Sequence, residues 1–521
     1  MTVMLLSDLV ATYDTVRATR SRKLKVAALA DLLTRAAAGT TDEVEVVTAY
    51  LSGALRQRRT GLGWRGLTTL PDPAGIPSLQ VLEVDAAFEE MGSLSGAGSQ
   101  GRRAAMVADV FGRATGQEQA YLRGLVTGEL RQGALDALVV EALAAAADVP
   151  VAAVRRAVML AGATPPVAVA LLAEGPPGLA RFSLEVGRPV RPMLASSAPD
   201  IDDALARLQA DGPVEVAVDC KLDGIRVQVH RSGDDVHVFT RSLDEITDRV
   251  PEVVETVLGL AAERAVLDGE AIALDDRGRP QPFQVTGART ASRKDVATLR
   301  AEVPLTTYLF DLLHVDGEDL LDLPARERFA RLERLAPAGS VVPRTVTADP
   351  ETARRTFDAL VAAGHEGVVL KALDAAYEAG RRGAAWVKVK PRHTLDLVVL
   401  AVEWGSGRRQ GLLSNIHLGA RDPETGGFVM LGKTFKGMTD EVLAWQTERF
   451  LALETGREGH VVRVRPEQVV EIAFDGLQRS TRYPGGLALR FARVVRYRDD
   501  KSAAEADTIA TVREVSGLYD V

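Results

Sequence analysis

One lysine stands at the end of an apolar, alternating stretch and directly before a turn. The stretch VEVAVDCK ends on Lys221, and Asp223-Gly224 follows it at once. A lysine amine is a nucleophile only when it is neutral, whereas an ordinary lysine has a pKa of ~10.4. A surface charge needs neither a strand nor a tight turn to position it. Lys221 is therefore a candidate nucleophile, to be weighed against an ordinary charge.

Strand alternation predicts the surroundings of this lysine. Asp219 and Lys221 fall on the polar face of the stretch, while Cys220 falls on the apolar face. We expect the chain to return after Gly224 as the strand IRVQVH, with Arg226 near the lysine. RSGDD is a plausible hairpin loop, and the following strand VHVFTR ends on Arg241. These segments would bring several charges to Lys221.

Further along the chain, other strand-like stretches carry polar residues in regular positions. Asp268 and Glu270 share a face of VLDGEAIALD. Lys388 and Lys390 share a face of WVKVK with Trp386. Taken one at a time, each pattern is also typical of a solvated strand face. Phe310, in a β-rich stretch, is by itself more typical of a core residue. Glu366 and Lys371 bracket the apolar run GVVL.

Composition sets limits on the class of protein. The 521 residues correspond to about three domains at ~150 residues each. The net charge is −8, yet Arg17 to Lys25 holds five basic residues and no acid, and Arg479 to Lys501 holds seven basic residues. Such local clusters can track phosphates on an acidic chain, although a solvated helix face is an equally good reading. With one cysteine, Cys220, a disulfide framework and a four-cysteine zinc site are excluded.

The pattern of the chain changes twice. Up to about Ala180 it is helical, with apolar residues three and four apart. From about Pro213 strands alternate with two helices, and from about Thr394 short strands and glycine-rich turns surround one helix. We predict domains at 1–190, 191–393 and 394–521. The sequence shows no signal peptide and no run of about 18 uncharged apolar residues, so we expect a cytoplasmic protein without a membrane anchor.

Taken together and in order, the motifs are specific. They read KLDG at Lys221, RS at Arg241, DGE ending on Glu270, FD at Phe310, EGVVLK from Glu366, WVKVK from Trp386 and RDDK from Arg498. In this order they resemble the covalent nucleotidyltransferases. Among these, the chain is similar to ATP-dependent DNA ligases of the three-domain replicative type found in bacteria and archaea. LRGLVTGELRQGALDALVVEAL and RPVRPMLA are similar to the family's N-terminal part.

The resemblance implies a multidomain fold and a three-step reaction. The fold is an all-α N-terminal DNA-binding domain, an α+β adenylation domain and a C-terminal β-barrel of the OB-fold type. Lys221 would take AMP from ATP, pass it to the 5′-phosphate of a nick, and allow the 3′-hydroxyl to displace AMP. Nicked double-stranded DNA would be the partner, during replication, repair or recombination. We expect a monomer in the cytoplasm, associated with the nucleoid.

The resemblance also implies roles for individual residues. Phe310 would stack on adenine, Glu270 would bond the ribose, and Arg382 would lie beside the nucleotide. Asp219 stands where many relatives carry Glu, in the position that contacts the base. Cations around Lys221 would lower its pKa and neutralise the triphosphate; they are Arg226, Arg241, Lys388 and Lys390. Mg²⁺ or Mn²⁺ would be held by Glu270 and Glu366, because Mg²⁺ prefers carboxylate oxygens. Arg498 and Lys501 would belong to a moving lid.

Three alternatives were weighed. An RNA ligase or an mRNA-capping enzyme would share the lysine but lack the long N-terminal helical region. An NAD-dependent ligase would carry a four-cysteine zinc module, which one cysteine excludes. A non-catalytic DNA clamp would not call for a lysine nucleophile with two metal-suited carboxylates.

Overall fold

The computed structural model describes residues 3–57, 59–130, 135–210, 212–292, 294–379, 382–406 and 409–516. The chain divides into two compact units. Unit 1 comprises Met1–Ser196, Arg207–Ala348 and Val369–Val387. Unit 2 comprises Ser197–Ala206, Asp349–Val368 and Lys388–Val521. Within the described residues, no helix is both long and apolar enough to cross a membrane.

The first part of unit 1 is built from helices. An isolated bridge joins Leu5 and Gln80, and short 3-10 helices cover Trp64–Leu67 and Pro176–Arg181. The α-helices are α1 Leu6–Ala18, α2 Arg22–Ala37, α3 Thr41–Leu51, α4 Val81–Ser93, α5 Ser99–Arg113, α6 Gly116–Thr127, α7 Leu135–Ala146, α8 Val151–Ala161 and α9 Thr164–Glu174.

Local sequence explains these helices. In α2 the buried residues Leu29, Leu32 and Leu33 recur at the spacing of one helix face. At the start of α6, Thr115 and Glu118 form a reciprocal capping box that satisfies two backbone N–H groups. The buried Tyr121 hydroxyl donates to the carbonyl oxygen of Tyr50 at 2.9 Å, so the helices share one hydrogen-bonded core. The described residues of this region thus form α-helices and two short 3-10 helices, together with the isolated bridge.

The next part of the chain alternates strands and helices. Its strands and helices are β1 Leu194–Ser197, α10 Ile201–Leu208, β2 Val216–Lys221, β3 Ile225–Ser232, β4 Asp235–Thr240, α11 Pro251–Leu258, β5 Arg264–Ala273, α12 Phe283–Ala291, α13 Val296–Glu302, β6 Leu305–Val315, β7 Glu318–Asp319, α14 Ala325–Leu335, β8 Arg344–Thr347, α15 Pro350–Ala362, β9 Gly367–Ala372 and β10 Arg382–Val389. The two helices predicted between the strands are α14 and α15, which confirms them. The prediction did not include α11, α12 and α13.

These strands form two sheets rather than one continuous hairpin series. One sheet has the order β1-β10-β9-β2-β8 and the other has the order β4-β3-β5-β6-β7. The hairpin predicted at RSGDD exists, since β3 pairs antiparallel with β4. The predicted strand IRVQVH is β3, and it pairs with β4 and β5 in the other sheet rather than with the lysine strand β2. The turn after Lys221 therefore crosses between two sheets.

A hydrophobic cluster joins the helical part of unit 1 to its sheets. Met159 and Leu160 of α8 lie in one cluster with Val266 of β5 and Leu313 of β6. The connector residues Leu184, Val190 and Met193 belong to the same cluster. The helical part and the sheets of unit 1 thus share buried apolar surface, which stabilises one against the other.

The C-terminal part of unit 2 is a sheet with helices. Its elements are β11 His393–Trp404, β12 Leu413–Arg421, β13 Phe428–Thr434, α16 Asp440–Ala452, β14 Glu454–Glu458, β15 Val461–Val464, β16 Val469–Phe474, β17 Gly476–Arg479, β18 Leu487–Arg490, β19 Arg493–Arg498 and α17 Ile509–Ser516. Seven strands form one sheet, with the path β13-β12-β11-β15-β14 and with β16 between β11 and β19. The predicted helix is α16. Among the described residues, the strand pairings do not close this sheet into a barrel.

The long strand β11 connects the two halves of this sheet. Its first half pairs with β16 and its second half pairs with β15 along the same edge, while β12 occupies the opposite edge. Register shifts interrupt the β11–β12 ladder, and such bulges bend a strand and increase its twist. Apolar residues from both ends of the strand, such as Leu395 and Val402, enter one core.

Candidate active site

Lys221 is the last residue of β2, which lies between β9 and β8. Its side chain is partly buried. The turn that follows requires glycine, because a Cβ on Gly224 would lie 2.3 Å from the carbonyl oxygen of Ala271 and 3.0 Å from Cγ of Glu270. The Asp-Gly turn therefore brings the lysine segment directly against β5, the strand that carries Glu270.

Asp219 occupies the interior of unit 1. The alternation predicted a polar face for the lysine strand, but every residue from Val216 to Cys220 is buried, and only 2% of Asp219 is exposed. The prediction fails because both faces of β2 are covered; Ala217, on the same face as Asp219, packs against Ala325 and Phe329 of α14. The Asp219 carboxylate accepts hydrogen bonds from Arg344 at 2.6 and 2.8 Å and forms a 2.7 Å ion pair with Lys371.

This cluster perturbs the pKa of each member. Burial alone would raise the pKa of Asp219, but the adjacent charges of Lys371 and Arg344 outweigh it, and the net shift is downward. Burial lowers the pKa of Lys371, and the positive charge of Arg344 adds to this effect. The buried carboxylate is therefore ionised and takes part in two ion pairs.

Phe310 lies on β6 among other aromatic and cationic groups. Its ring makes an edge-to-face contact with Trp386, with centroids 6.0 Å apart. The Lys371 ammonium lies 4.5 Å from the Phe310 centroid and 4.3 Å from the Trp386 centroid. The ring is partly buried and packs against the cluster that contains Trp386.

Arg226 is the partner of a buried carboxylate. Its guanidinium donates to Asp268 at 2.9 and 2.5 Å and to the carbonyl oxygen of Met193 at 2.7 Å. The Tyr377 hydroxyl also donates to Asp268 at 2.8 Å. Asp268 thus compensates the charge of Arg226. Arg226 is directly opposite Glu270 in the β3–β5 ladder, which keeps this pair beside the predicted ribose contact.

The remaining predicted residues of unit 1 are Arg241, Glu270 and Arg382, which lie in or next to different strands. Arg241 follows β4 and is exposed. Glu270 is a partly buried residue of β5. Arg382 begins β10, and its side chain lies outside the described part of the chain.

In unit 2, Glu366 and Lys390 form an ion pair with each other. Asp475, which follows β16, adds a second carboxylate 3.4 Å from the Lys390 ammonium. Burial alone would lower the pKa of Lys390, but Glu366 and Asp475 outweigh it and raise that pKa. Lys388 is a partly buried residue of β10. One predicted metal-binding carboxylate and one predicted phosphate-binding lysine are thus partners.

The two predicted lid residues share one carboxylate of unit 2. Asp396, near the start of β11, pairs with Arg498 at 2.9 Å and with Lys501 at 2.6 Å. Asp500 binds the same Arg498 guanidinium at 2.7 Å. The motif RDDK therefore folds back on the first strand of its own sheet.

The described residues contain no group of three or more His, Cys, Asp or Glu side chains suited to holding a metal. A resident metal cage is thus absent from that part of the chain. Mg²⁺ at nucleotide sites usually takes one or two carboxylates and completes its shell with phosphate and water oxygens. Glu270 and Glu366 each offer the carboxylate oxygens that such an ion requires.

Three residues near the predicted site had no predicted role. Arg344, Lys371 and Tyr377 bind the buried carboxylates Asp219 and Asp268. Lys371 had a signal, because a charged residue ended the apolar run GVVL. No sequence signal indicated Arg344, because PRTVT has the pattern of an ordinary edge strand.

Comparison with known proteins identifies the family. The family models described as ATP dependent DNA ligase domain, ATP dependent DNA ligase C terminal region and DNA ligase N terminus match residues 192–390, 409–501 and 68–144. A probable DNA ligase of Nocardioides sp. is 67% identical over 516 residues, which cover 99% of each chain. A probable DNA ligase of Beutenbergia cavernae is 65% identical over 520 residues, which cover 99% of this chain and 100% of that protein.

A solved structure supports the fold. The structure named Pmar-Lig_Pre aligns with a TM-score of 0.63 at 17% identity and covers 94% of this chain and 99% of that chain. The match to the DNA ligase N terminus argues against an RNA ligase or a capping enzyme, because those enzymes would lack such a region. The chain belongs to the ATP-dependent DNA ligases and has the N-terminal, adenylation and C-terminal parts of that family.

Proposed function

We propose that this protein seals nicks in double-stranded DNA through a lysyl-AMP intermediate on Lys221. The observation that carries the proposal is the position of this lysine. It ends an inner strand, and the turn that follows it lies against β5 beside Glu270, because Gly224 has no side chain to prevent the close approach. Membership of the ATP-dependent DNA ligases supports the same chemistry.

The proposed reaction has three balanced steps. The neutral amine of Lys221 attacks the α-phosphorus of ATP, and pyrophosphate leaves as the phosphoramidate forms. A 5′-phosphate oxygen of the nick then attacks the same phosphorus, which frees the lysine and leaves adenylated DNA. The 3′-hydroxyl finally attacks the 5′-phosphate, AMP departs, and the strand is continuous.

Within this proposal the remaining site residues bind and orient the nucleotide. Phe310 would stack on the base, Glu270 would bond the ribose, and Arg382 would lie beside it. The cations expected at the phosphates are Arg226, Arg241, Lys388 and Lys390. Mg²⁺ or Mn²⁺, held by Glu270 and Glu366, would neutralise phosphate charge. Since Lys390 and Glu366 are ion-paired here, phosphate and metal binding would exchange these partners.

We further propose that the C-terminal part of the protein, residues 394–521, supplies a lid. The resemblance implies an OB-fold at 394–521, and the long, bulged strand β11 with two partners on one edge supports this. Arg498 and Lys501 would leave Asp396 and bind the ATP phosphates during the first step. They would withdraw before DNA is bound, as lids do in other enzymes.

DNA binding is proposed for two regions of the chain. The helical region, predicted as 1–190, carries exposed arginines such as Arg59 and Arg65 beside the 56% exposed Trp64. In unit 2, Phe491 is 60% exposed, has a φ of +55° and is flanked by Arg490 and Lys436. Exposed apolar side chains flanked by cations are typical of proteins that enter the minor groove. The enzyme would act as a monomer on nucleoid DNA in the cytoplasm.

Two measurements test the proposed function. Intact mass after incubation with ATP and Mg²⁺ should show an AMP adduct, and a DNA clamp would show none. Nicked duplexes made with DNA strands or with RNA strands should be incubated in parallel, and the DNA nick should be sealed. An adduct without sealing on any DNA nick would contradict the ligase proposal and favour another nucleotidyltransferase.

A further inference from the structure

Arg344 is a buried arginine outside every motif that the sequence analysis used. It begins β8 and lies directly opposite Asp219 in the β2–β8 ladder. Its side chain is 5% exposed, and its guanidinium stacks 3.5 Å above the Phe329 ring. Both contacts fix the guanidinium plane, so its hydrogen bonds point in defined directions.

The guanidinium connects the two sheets of unit 1. Its Nε and Nη2 donate to Asp219 at 2.6 and 2.8 Å, on the strand that ends with Lys221. Nη2 also donates to the carbonyl oxygen of Phe310 at 3.0 Å, on β6 of the other sheet. One side chain thereby ties the strand of the nucleophile to the strand of the proposed adenine platform.

Asp219 is occupied by this arrangement. Its oxygens take two hydrogen bonds from Arg344 and an ion pair from Lys371, and the residue is 2% exposed. Lys371 in turn lies against the Phe310 and Trp386 rings. The carboxylate therefore faces cations rather than an open surface where a base could dock.

We infer that Arg344 is a positioning residue for self-adenylation. Through Asp219 and the Phe310 carbonyl it holds the lysine strand and the adenine platform at a fixed separation. Asp219 is the anchor of this link and does not bind the base. The inference rests on the proposed function of Lys221 and Phe310. Small displacements of a nucleophile cost large factors in rate, since a shift of ~1 Å can cost ~100-fold.

The main test uses Arg344→Lys, because lysine keeps the charge beside Asp219 but lacks the planar fork that reaches two partners. The rate constant of adduct formation at saturating ATP should fall at least ~10-fold. Sealing of a nick that already carries AMP should change less than ~3-fold, because that substrate bypasses the attack on ATP. The matched control is Arg289→Lys, which alters another buried arginine–carboxylate pair of unit 1, with Glu252, and should leave both rates unchanged.

A second test separates anchoring from base reading. Purine riboside triphosphate lacks the amino group of adenine, so a carboxylate that accepts from that group would favour ATP over it. In Asp219→Asn, the preference for ATP over this analogue should stay within ~2-fold of wild type, while the rate of adduct formation at saturating ATP falls. The losses in Asp219→Asn and Arg344→Met should not add in the double variant, since both break one link. Thermal melting would identify any variant that fails to fold, and Arg344→Lys then decides.

Several outcomes would overturn the inference. A wild-type rate of adduct formation in Arg344→Lys would do so, as would an equal loss in Arg289→Lys. Loss of the preference for ATP in Asp219→Asn would make Asp219 a base reader. If the wild-type chain formed no adduct, the proposed function would fail and this inference with it. An adduct in wild type with no effect in Arg344→Lys would overturn the inference alone.

Discussion

Asp219 and Asp396 each bind two basic side chains, one in unit 1 and the other in unit 2. The side chains of Asp219 and its two partners are 3 to 5% exposed, so water cannot replace either cation. Asp396 is 12% exposed, and its partner Lys501 is 31% exposed. Opening the first cluster would leave charges unpaired in the interior, whereas the second can exchange its partners with solvent or phosphate.

This difference separates a fixed framework from a movable part. The cluster at Asp219 lies beside the proposed nucleophile, whose geometry must not change. The cluster at Asp396 holds the residues proposed to travel to ATP and back. Burial, rather than the number of ion pairs, distinguishes the two clusters.

The largest effect is expected at the nucleophile itself. Lys221→Ala should abolish the AMP adduct, because no other amine stands at the end of β2. Intact mass after incubation with ATP and Mg²⁺ checks this result, and the melting temperature checks folding. A normal adduct in the variant would remove Lys221 from the mechanism. Lys371→Ala should instead lower stability, because its ammonium belongs to the fixed cluster.

The lid prediction tests the movable side of the comparison. Arg498→Ala should slow adduct formation with ATP by at least ~100-fold, because a phosphate contact made in the transition state is lost. Sealing of a pre-adenylated nick should largely survive. Arg493→Ala, an exposed arginine on the same strand, is the control. Equal losses in both steps for Arg498→Ala would assign this residue to DNA binding or folding.

Stability should distinguish the two carboxylates directly. Asp219→Ala leaves Arg344 and Lys371 uncompensated in the interior and should cost ~3–5 kcal/mol of unfolding free energy. Asp396→Ala should cost several-fold less, because Asp500 still pairs with Arg498 and Lys501 can turn to water. Denaturant unfolding of both variants measures the difference. Similar losses would mean that the Asp396 cluster is also part of the fixed framework.

At pH 7 the smallest effect is expected from His230, whose contribution to stability changes only in acid. Burial lowers the pKa of His230 to about 3, and nearby His237 and His314 add to this effect. The folded pKa lies below that of the unfolded chain, so the unfolded state binds the extra proton, and stability should fall as pH drops from about 6.5 toward 3. The slope should reach ~1.4 kcal/mol per pH unit.

His230→Gln should remove that slope, because glutamine does not titrate. His237→Gln serves as the control, since the hydrogen bond with Glu245 raises the pKa of the partly buried His237 and its contribution has the opposite sign. Unfolding free energies between pH 4 and 7 check this prediction. An unchanged slope in His230→Gln would place the acid sensitivity elsewhere in the molecule.

The structure also changes how the helical region should be tested. A cut near Ala180 would remove Met159 and Leu160 from the cluster that they share with Val266 and Leu313. Such a truncation would expose core surface and impair adenylation for reasons unrelated to DNA. Charge-removing variants on the exposed helices are the better test of DNA binding in this region.

The sequence alone determined the type and order of most elements. Apolar residues three and four apart predict helices wherever one face packs on a core, as in α2 and α16, and alternation predicts strands. The order of short motifs identified the family, because each motif is common but the series is not. These features depend on local spacing, which the chain carries without any tertiary contact.

Tertiary structure decided what the charges do. The sequence assigned Asp219 to a polar face, yet that face is buried, because α14 packs on it through Ala325 and Phe329. It predicted Arg226 near the lysine but not its buried partner Asp268, which pairing of β3 with β5 supplies. Arg344 joins Asp219 and Phe310 from 125 and 34 residues away. Partners so distant are chosen by packing, and no local pattern encodes them.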